Sequence, residues 1–587
     1  MTKAIVLGGS RGIGKAITNS LRSIEIDVFA ASKNDIDTSN LDSVKKFLEI
    51  HNQTDILILN TGGPEPKPFL TITKEDWNKY HNQLFVGFCT ILQKIKVNDG
   101  GYIFLISSNV IKEPNVKLII SSAYRAAFSE VFKVLSKEYA QRNISCINIA
   151  PGPINTDRTQ ELIENVKKFE KTYQIDLWKL VINERHFYKF NRFYKFTKNE
   201  ILNILEQECR FFEDILEEVK PNYFLTYDPP FHHQKLFLDM CKSKGIKILC
   251  IYFTRIGGTS IIAEDGGTLD LPQNLETIKI NENEFSEKID SKNYSLLTNN
   301  YKNKRGSSTS DKFKALLNYI LFSDSKNTQS NFTYYGRSKL KVIFDTLQIN
   351  FQRKMRSKFL EKNTYKKIDL DVPFTYFPLN IEEELSILHY SPFFTNQIEV
   401  IKHVAKAIPI DHTLYVKEHP FAEFRGWHKI DEYKEIMEIP NVKLIHPSFS
   451  SNELIKNSKL VVTIRGTASF DAISEKKPSI VFGEVPFSII SSVYKVDNLK
   501  ELPNLINTAL KTNVEPDDLQ KYLKLIKERS VNFDMMDFEV KRNNQFYSGN
   551  ILSDVDISEK NTRQFLENNE RYFESLVNEH LSKINSM

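Results

Sequence analysis

Cysteine is scarce in this chain, with five residues in 587, at Cys89, Cys146, Cys209, Cys241 and Cys250. No two of them form a Cys-x-x-Cys pair, which excludes a disulfide framework and a cysteine zinc site and predicts free thiols in a reducing compartment. Histidine offers no alternative metal centre, because the adjacent side chains of His232 and His233 are expected to diverge and no further ligand cluster accompanies them. No apolar run approaches the roughly 20 residues needed to span a bilayer. An apolar leader is also lacking, since Met1-Thr-Lys-Ala passes straight into Ile5-Val-Leu, so a cytoplasmic chain is expected. The composition is otherwise ordinary for a globular protein, 41% hydrophobic and 26% charged, with a formal net charge of +5. No nucleic-acid module accompanies that charge, and no nucleic-acid partner is expected.

The length implies three or four domains at ~150 residues each. The charge is unevenly spread. Between Lys302 and Lys367 stand sixteen Lys/Arg against four Asp/Glu, and the rest is slightly acidic. Leu316, Leu317, Ile320 and Leu321, and later Val342, Ile343 and Leu347, suggest amphipathic helices within this stretch. Two readings stay open: a solvated insertion, or a basic surface making peripheral contact with anionic lipid on the cytoplasmic face of the inner membrane.

What is present at the start is strand–helix alternation. AIVLGG, IDVFAAS, DILILN, YIFLISS and ISCINIAPG read as strands with helical segments between them, which predicts a doubly wound parallel sheet over residues 1–160. Gly8, Gly12 and Gly14, in LGGSRGIG with Arg11 and Ile13, sit where the first strand turns into the first helix. There they permit a tight turn and let backbone N–H groups approach a pyrophosphate. GSRGIG, the turn Asn60-Thr-Gly62-Gly, Ser108, Tyr124 and Pro151-Gly152 occur in this order, and the segment resembles the short-chain dehydrogenase/reductase family, truncated after Arg158. That resemblance implies a Rossmann-type fold and places cations for a 2′-phosphate at Arg11 and Lys33, favouring NADP(H). It matches Asp37 to the adenine contact, Tyr124 to the general acid/base, and Ser108 to the group that polarises a carbonyl. The family's lysine four residues after the tyrosine is Phe128 here, and its asparagine appears as Gln83 or Asn82. Cofactor binding, rather than reduction, is therefore the expectation for this segment.

From Tyr173 onward a second α/β series begins, predicting a first lobe over 170–300, the basic stretch over 301–367, a second lobe over 368–510 and C-terminal helices over 511–587. The strand LVVTI runs into Arg465-Gly466-Thr467-Ala-Ser469, with Asp471 in the following helix. Small residues, hydroxyls and a guanidinium at a helix start suit a nucleotide phosphate. Lys417, Glu418 and His419 end a neighbouring strand, and are expected to face the same crevice. Asp228 and His232 follow a strand of the first lobe and are candidates for the base that takes an acceptor's proton. FPLN…EEELS, YVKEHP, NVKLIHP and TIRGTASFDAISEKKPSIVFG together resemble the capsule polysaccharide synthesis family. That group includes transferases of 3-deoxy-manno-octulosonic acid (Kdo) from CMP-activated donors. The resemblance implies a two-lobed GT-B-like glycosyltransferase taking a nucleotide sugar and a glycan or glycolipid acceptor. Asn380 stands where the family often has histidine, and Asp471 where it often has glutamate. Two other readings remain: an NADP(H)-dependent oxidoreductase acting on a sugar precursor, with a C-terminal binding module, and a non-catalytic assembly protein.

Overall fold

A computed structural model describes residues 2–112, 118–151, 157–254, 256–279, 317, 320–321, 338–382, 384–419, 422–425, 427–546 and 558–586. Gly152 and most of the basic stretch before residue 338 lie outside the described residues. The chain forms two compact units, Met1–Lys167 with Lys198–Asn203, and Lys168–Thr197 with Ile204–Met587.

The first unit is built on β1 (Lys3–Leu7), β2 (Asp27–Ala31), β3 (Gln53–Leu59), β4 (Lys96–Ile106) and β5 (Ser145–Ile149). All pair in parallel in the order β2-β1-β3-β4-β5. These are the five strands that the alternation predicts. Parallel neighbours require crossovers, and the helices that supply them cover the sheet. Ile5, Leu7, Leu57 and Leu59 pack with Phe47, Phe88, Phe128 and Phe132 on one face. On the other, Ala4, Val6, Ile56 and Ile58 meet Ile13, Ile17 and Leu21 of the helix Gly12–Arg22. The strand order reverses between β1 and β3, so the ends of those two strands bound the crevice.

The second unit holds two sheets. The smaller comprises β6 (Tyr223–Tyr227), β7 (Lys247–Phe253) and β8 (Ser260–Ala263), the last antiparallel to β7. The larger contains β9 (Phe374–Pro378), β10 (Thr413–Lys417), β11 (Val442–Ile445), β12 (Leu460–Thr463), β13 (Ser479–Val481) and β14 (Val493–Lys495). Its order, β11-β10-β9-β12-β13-β14, is parallel throughout and matches the dinucleotide-fold order 3-2-1-4-5-6. The central strands are near-continuous apolar runs, as burial on both faces demands. The switch point lies between β9 and β12, so the residues just after them, Asn380 and Arg465, stand at its mouth.

Candidate functional site

In the first unit, the glycine-rich turn is dictated by space. A β-carbon on Gly14 would collide with the Gly8 carbonyl, and Gly8 itself is left-handed at φ +61°. Asn60 at the end of β3 donates from Nδ2 to the Leu7 carbonyl at 3.2 Å, fastening the two strand ends that flank the crevice. Arg11 is exposed just before the helix, Gly12 is exposed, and Ile13 anchors the turn in the core. Lys33 is exposed and lies 3.6 Å from Asp37. The Asp37 carboxylate accepts from the Ser39 amide and hydroxyl at 2.9 and 2.7 Å. Burial opposes ionisation there, but those bonds and Lys33 outweigh it and hold the pKa low. Gly62 accepts from Gln83 Nε2 at 2.9 Å, and Gln83 lies in a π-helical turn, Asn82–Val86. Pro151 accepts from the Asn109 amide.

The expected reaction centre of this unit is altered. Tyr124 stands in an aromatic wall with Trp77 and His81, and burial raises its pKa. Phe128 is 1% exposed and belongs to the core. Arg125 turns inward, donating to the carbonyls of Thr61, Ile106 and Ser107 and to the Ser121 hydroxyl. Burial lowers its pKa to about 10. The guanidinium therefore ties the ends of β3 and β4 together. Ser108 caps the turn Asn109–Ile111.

In the second unit, Asp228 follows β6 and accepts a 2.7 Å hydrogen bond from the Tyr390 hydroxyl. Burial raises its pKa to about 6, against the pull of Tyr390 and Arg465. Arg465, just beyond β12, lies 4.0 Å over the Tyr390 ring. It donates to the carbonyl of Glu484 and, at 3.1 Å, to that of Gly266. Gly266 must be glycine, because a β-carbon would strike the Tyr390 hydroxyl and the Tyr252 ring. Asp228, Tyr390 and Arg465 thus bring residues following both sheets into one array. A carboxylate with a pKa near neutrality is suited to accepting a proton. Tyr390, Gly266 and Glu484 escaped the sequence reading.

Beside this array, the Thr463 hydroxyl bridges Asn380 Oδ1 at 3.2 Å and the Gly466 amide at 3.2 Å. Gln397 clasps the Asn380 backbone through two bonds of 2.7 and 2.8 Å. Thr467 precedes a seven-residue helix and is half-buried, while Asp471 in its first turn is exposed. Ser469 corrects the expectation of an outward hydroxyl. It is fully buried, and its Oγ donates to the Gly466 carbonyl at 2.8 Å.

Lys417 and Glu418 are corrected too, both being 1% exposed. β10 is buried on both faces, so its last side chains are enclosed. Lys417 Nζ donates to Ser451 Oγ at 2.9 Å, and burial lowers its pKa to about 8. Glu418 accepts from the His419 amide at 2.8 Å, from the Tyr433 hydroxyl, and pairs with His428 Nδ1 at 2.6 Å. Burial would raise the Glu418 carboxyl, yet these partners hold it below its usual value. Glu418→Ala strands a buried imidazolium, at a cost of about 3–5 kcal/mol; a clear fall in melting temperature is expected. His419 itself is half-buried.

His232 is buried between two carboxylates, with Nδ1 3.0 Å from Glu184 and Nε2 3.1 Å from Glu208. Burial works against its charge, but the two carboxylates raise its pKa to about 9. A locked imidazolium of this kind positions the loop that carries Asp228 and is poorly suited to act as a base. Glu208, His232 and His233 do bring ligand-type atoms within 4.8 Å of one another. This corrects the expected divergence of the adjacent histidines, which Glu208 joins from the helix Lys198–Val219.

The first unit is a dinucleotide-binding fold of the oxidoreductase type, and the second pairs a small sheet with a complete nucleotide-type sheet. The chain belongs, through its first unit, to the short-chain dehydrogenase/reductase family, and carries a capsule polysaccharide biosynthesis domain. Residues 36–167 match the family model described as short chain dehydrogenase, and residues 267–494 match that of the capsule polysaccharide biosynthesis protein. The NADPH-dependent reductase BacG of Bacillus subtilis is 29% identical over 28% of this chain and 76% of its own length. Carbonyl reductase family member 4 of Xenopus laevis is 30% identical over 27% of this chain and 78% of its own. A small-chain dehydrogenase crystallised with NADPH is 25% identical and covers 30% of this chain and 81% of its own, with a TM-score of 0.26.

Proposed function

We propose that the second unit is a glycosyltransferase of surface polysaccharide assembly, moving a Kdo-like sugar from a CMP-activated donor to a glycan or glycolipid acceptor. The observation that carries this reading is the array Asp228–Tyr390–Arg465 beside the switch point between β9 and β12. The acceptor oxygen attacks the anomeric carbon, its proton passes to Asp228, and the bond from the sugar to the nucleotide phosphate breaks with its electron pair leaving on CMP. Tyr390 holds the carboxylate in place. Arg465 and Thr467 face the departing phosphate, with His419 at the neighbouring strand end. Lys417 and Glu418 act from within, by fixing the end of β10.

Arg465 is bound to two carbonyls and lies over a ring, which a lysine's single ammonium cannot reproduce. Arg465→Lys is therefore expected to lower kcat/KM about 100-fold or more, nearly as much as Arg465→Ala, in product assays with CMP-sugars and UDP-sugars. Lysine restoring full transfer would overturn the assignment.

For the first unit the reading is NADP(H) binding without the family's usual turnover. The cradle between Gly8 and Gly14, which no β-carbon could share, supports a pyrophosphate site. Exposed Arg11 and Lys33 suit a 2′-phosphate, and the NADPH-dependent relative BacG fits this reading. A bound nicotinamide would supply hydride chemistry; the chain's own contribution is to hold the dinucleotide through its backbone amides. NADPH is expected to raise the melting temperature and NADH to raise it less. Equal stabilisation by both would remove the 2′-phosphate assignment.

A further inference from the structure

The helix Lys339–Asn363, the described end of the basic stretch, is fixed to the second unit by one side and leaves an apolar ridge on the other. Leu360 is buried in the core of the larger sheet, with Phe359 packed against that core. Arg356 donates to the Trp427 carbonyl at 2.9 Å, and Asp345 lies 3.6 Å from Arg192. The opposite side carries Leu340, Phe344, Leu347, Phe351 and Met355, between 46% and 81% exposed. Their spacings of four, three, four and four residues set all five on one helical face. Lys354, Lys358 and Lys362 continue that face, and Lys354 and Lys358 are exposed. Two phenylalanines, two leucines and a methionine in one exposed line exceed the scatter of single apolar residues that a soluble surface tolerates.

We infer that this face is a membrane-docking helix that lies in the plane of an anionic lipid surface, its apolar ridge entering the acyl boundary and its lysines meeting the headgroups. Charge decides for lipid over a second copy of the chain. A self-complementary interface would bring the same lysine-bearing face onto itself, whereas an anionic bilayer pairs with both of its components. No described helix is long and apolar enough to cross a membrane, so the contact is peripheral. The inference extends the glycolipid-acceptor form of the proposed function, yet its readout is independent of sugar transfer.

The test is co-sedimentation of the full-length protein with vesicles of phosphatidylcholine alone and of phosphatidylcholine with about one-third phosphatidylglycerol. Binding to the anionic vesicles is expected, weakened by salt. Phe344→Glu with Phe351→Glu, both on the solvent side, should lower the partition coefficient at least tenfold while leaving the melting temperature and the transfer of sugar to a soluble acceptor unchanged. Lys354→Gln with Lys358→Gln and Lys362→Gln should flatten the salt dependence. Binding unaffected by the glutamate pair, or absent for the parent protein, would overturn the inference. So would a parent dimer in solution that the glutamate pair dissociates, because a second copy would then be the occupant. Loss of transfer in an Asp228 variant that still binds vesicles would separate the catalytic reading from this one.

Discussion

Asp228→Asn is expected to abolish sugar transfer and, at pH 8, to make the protein more stable. Two separate costs produce this pairing. Removing a positioned general base takes away about 10²–10⁴-fold in rate. The same carboxylate is costly to keep ionised, because burial raises its pKa from 3.8 to about 6 even with Tyr390 and Arg465 nearby. The sign follows from linkage: the folded state binds the proton more tightly than the unfolded state. The group's favourable contribution is therefore full below pH 3.8 and is lost as the pH rises through about 6. Above that pH the native protein holds an unfavourable charge that asparagine removes, while the asparagine oxygen still accepts from Tyr390. At about 1.4 kcal/mol per pKa unit, and discounted for partial exposure, the gain is about 1–2 kcal/mol. Thermal unfolding should show the variant melting higher at pH 8 and level with the parent at pH 4. In the parent enzyme, kcat/KM should fall as the pH drops below about 6. Full transfer by Asp228→Asn, or a pH profile flat through 6, would remove Asp228 from the role of base.

Much of the fold was legible in the sequence because its signals are local. Five apolar runs separated by helical periods announced the first sheet, and the glycine spacing marked the one turn where backbone must approach backbone. The larger sheet was likewise visible as a strand series ending in KEHP and TIRG. The site was legible only in part. Asp228 could be chosen because it follows a strand and precedes a proline turn, but its partner Tyr390 is 162 residues away. Glu184 and Glu208, which lock His232, lie 48 and 24 residues from it, on segments with no motif of their own. Lys417 and Ser469 were misjudged for another reason. A charged or hydroxylated side chain at a strand end or helix start is expected to face a crevice, yet here β10 is central and the helix start is folded under its own loop. Burial of such groups is decided by neighbours distant in sequence, and periodicity does not carry that information.

Placing the family's lysine at position 128 is not expected to give reductase turnover. Phe128→Lys is expected to destabilise the first unit strongly instead. In the sequence, position 128 reads as a missing catalytic group, four residues after Tyr124 on the same helix face. In the structure its side chain is a core residue, 1% exposed, with ring centroids 5.2 Å from Phe88 and 6.3 Å from both Phe85 and Phe132. Losing that ring costs about 3–5 kcal/mol by analogy with large-to-small core substitutions. An ammonium in its place adds a buried charge beside the guanidinium of Arg125, which is itself bound to carbonyls. At about 2–4 °C per kcal/mol for a unit of this size, melting should fall by roughly 10 °C. NADPH binding, measured by the thermal shift it produces, should weaken as the core beneath the site loosens. Phe128→Leu keeps the site apolar, and should retain both binding and most of the stability. Position 128 thus serves packing, while the cation of this helix stands three residues earlier, at Arg125, bound to the carbonyls that end β3 and β4. A Phe128→Lys protein that melts like the parent and oxidises NADPH with a carbonyl substrate would show that only one side chain separates this unit from turnover.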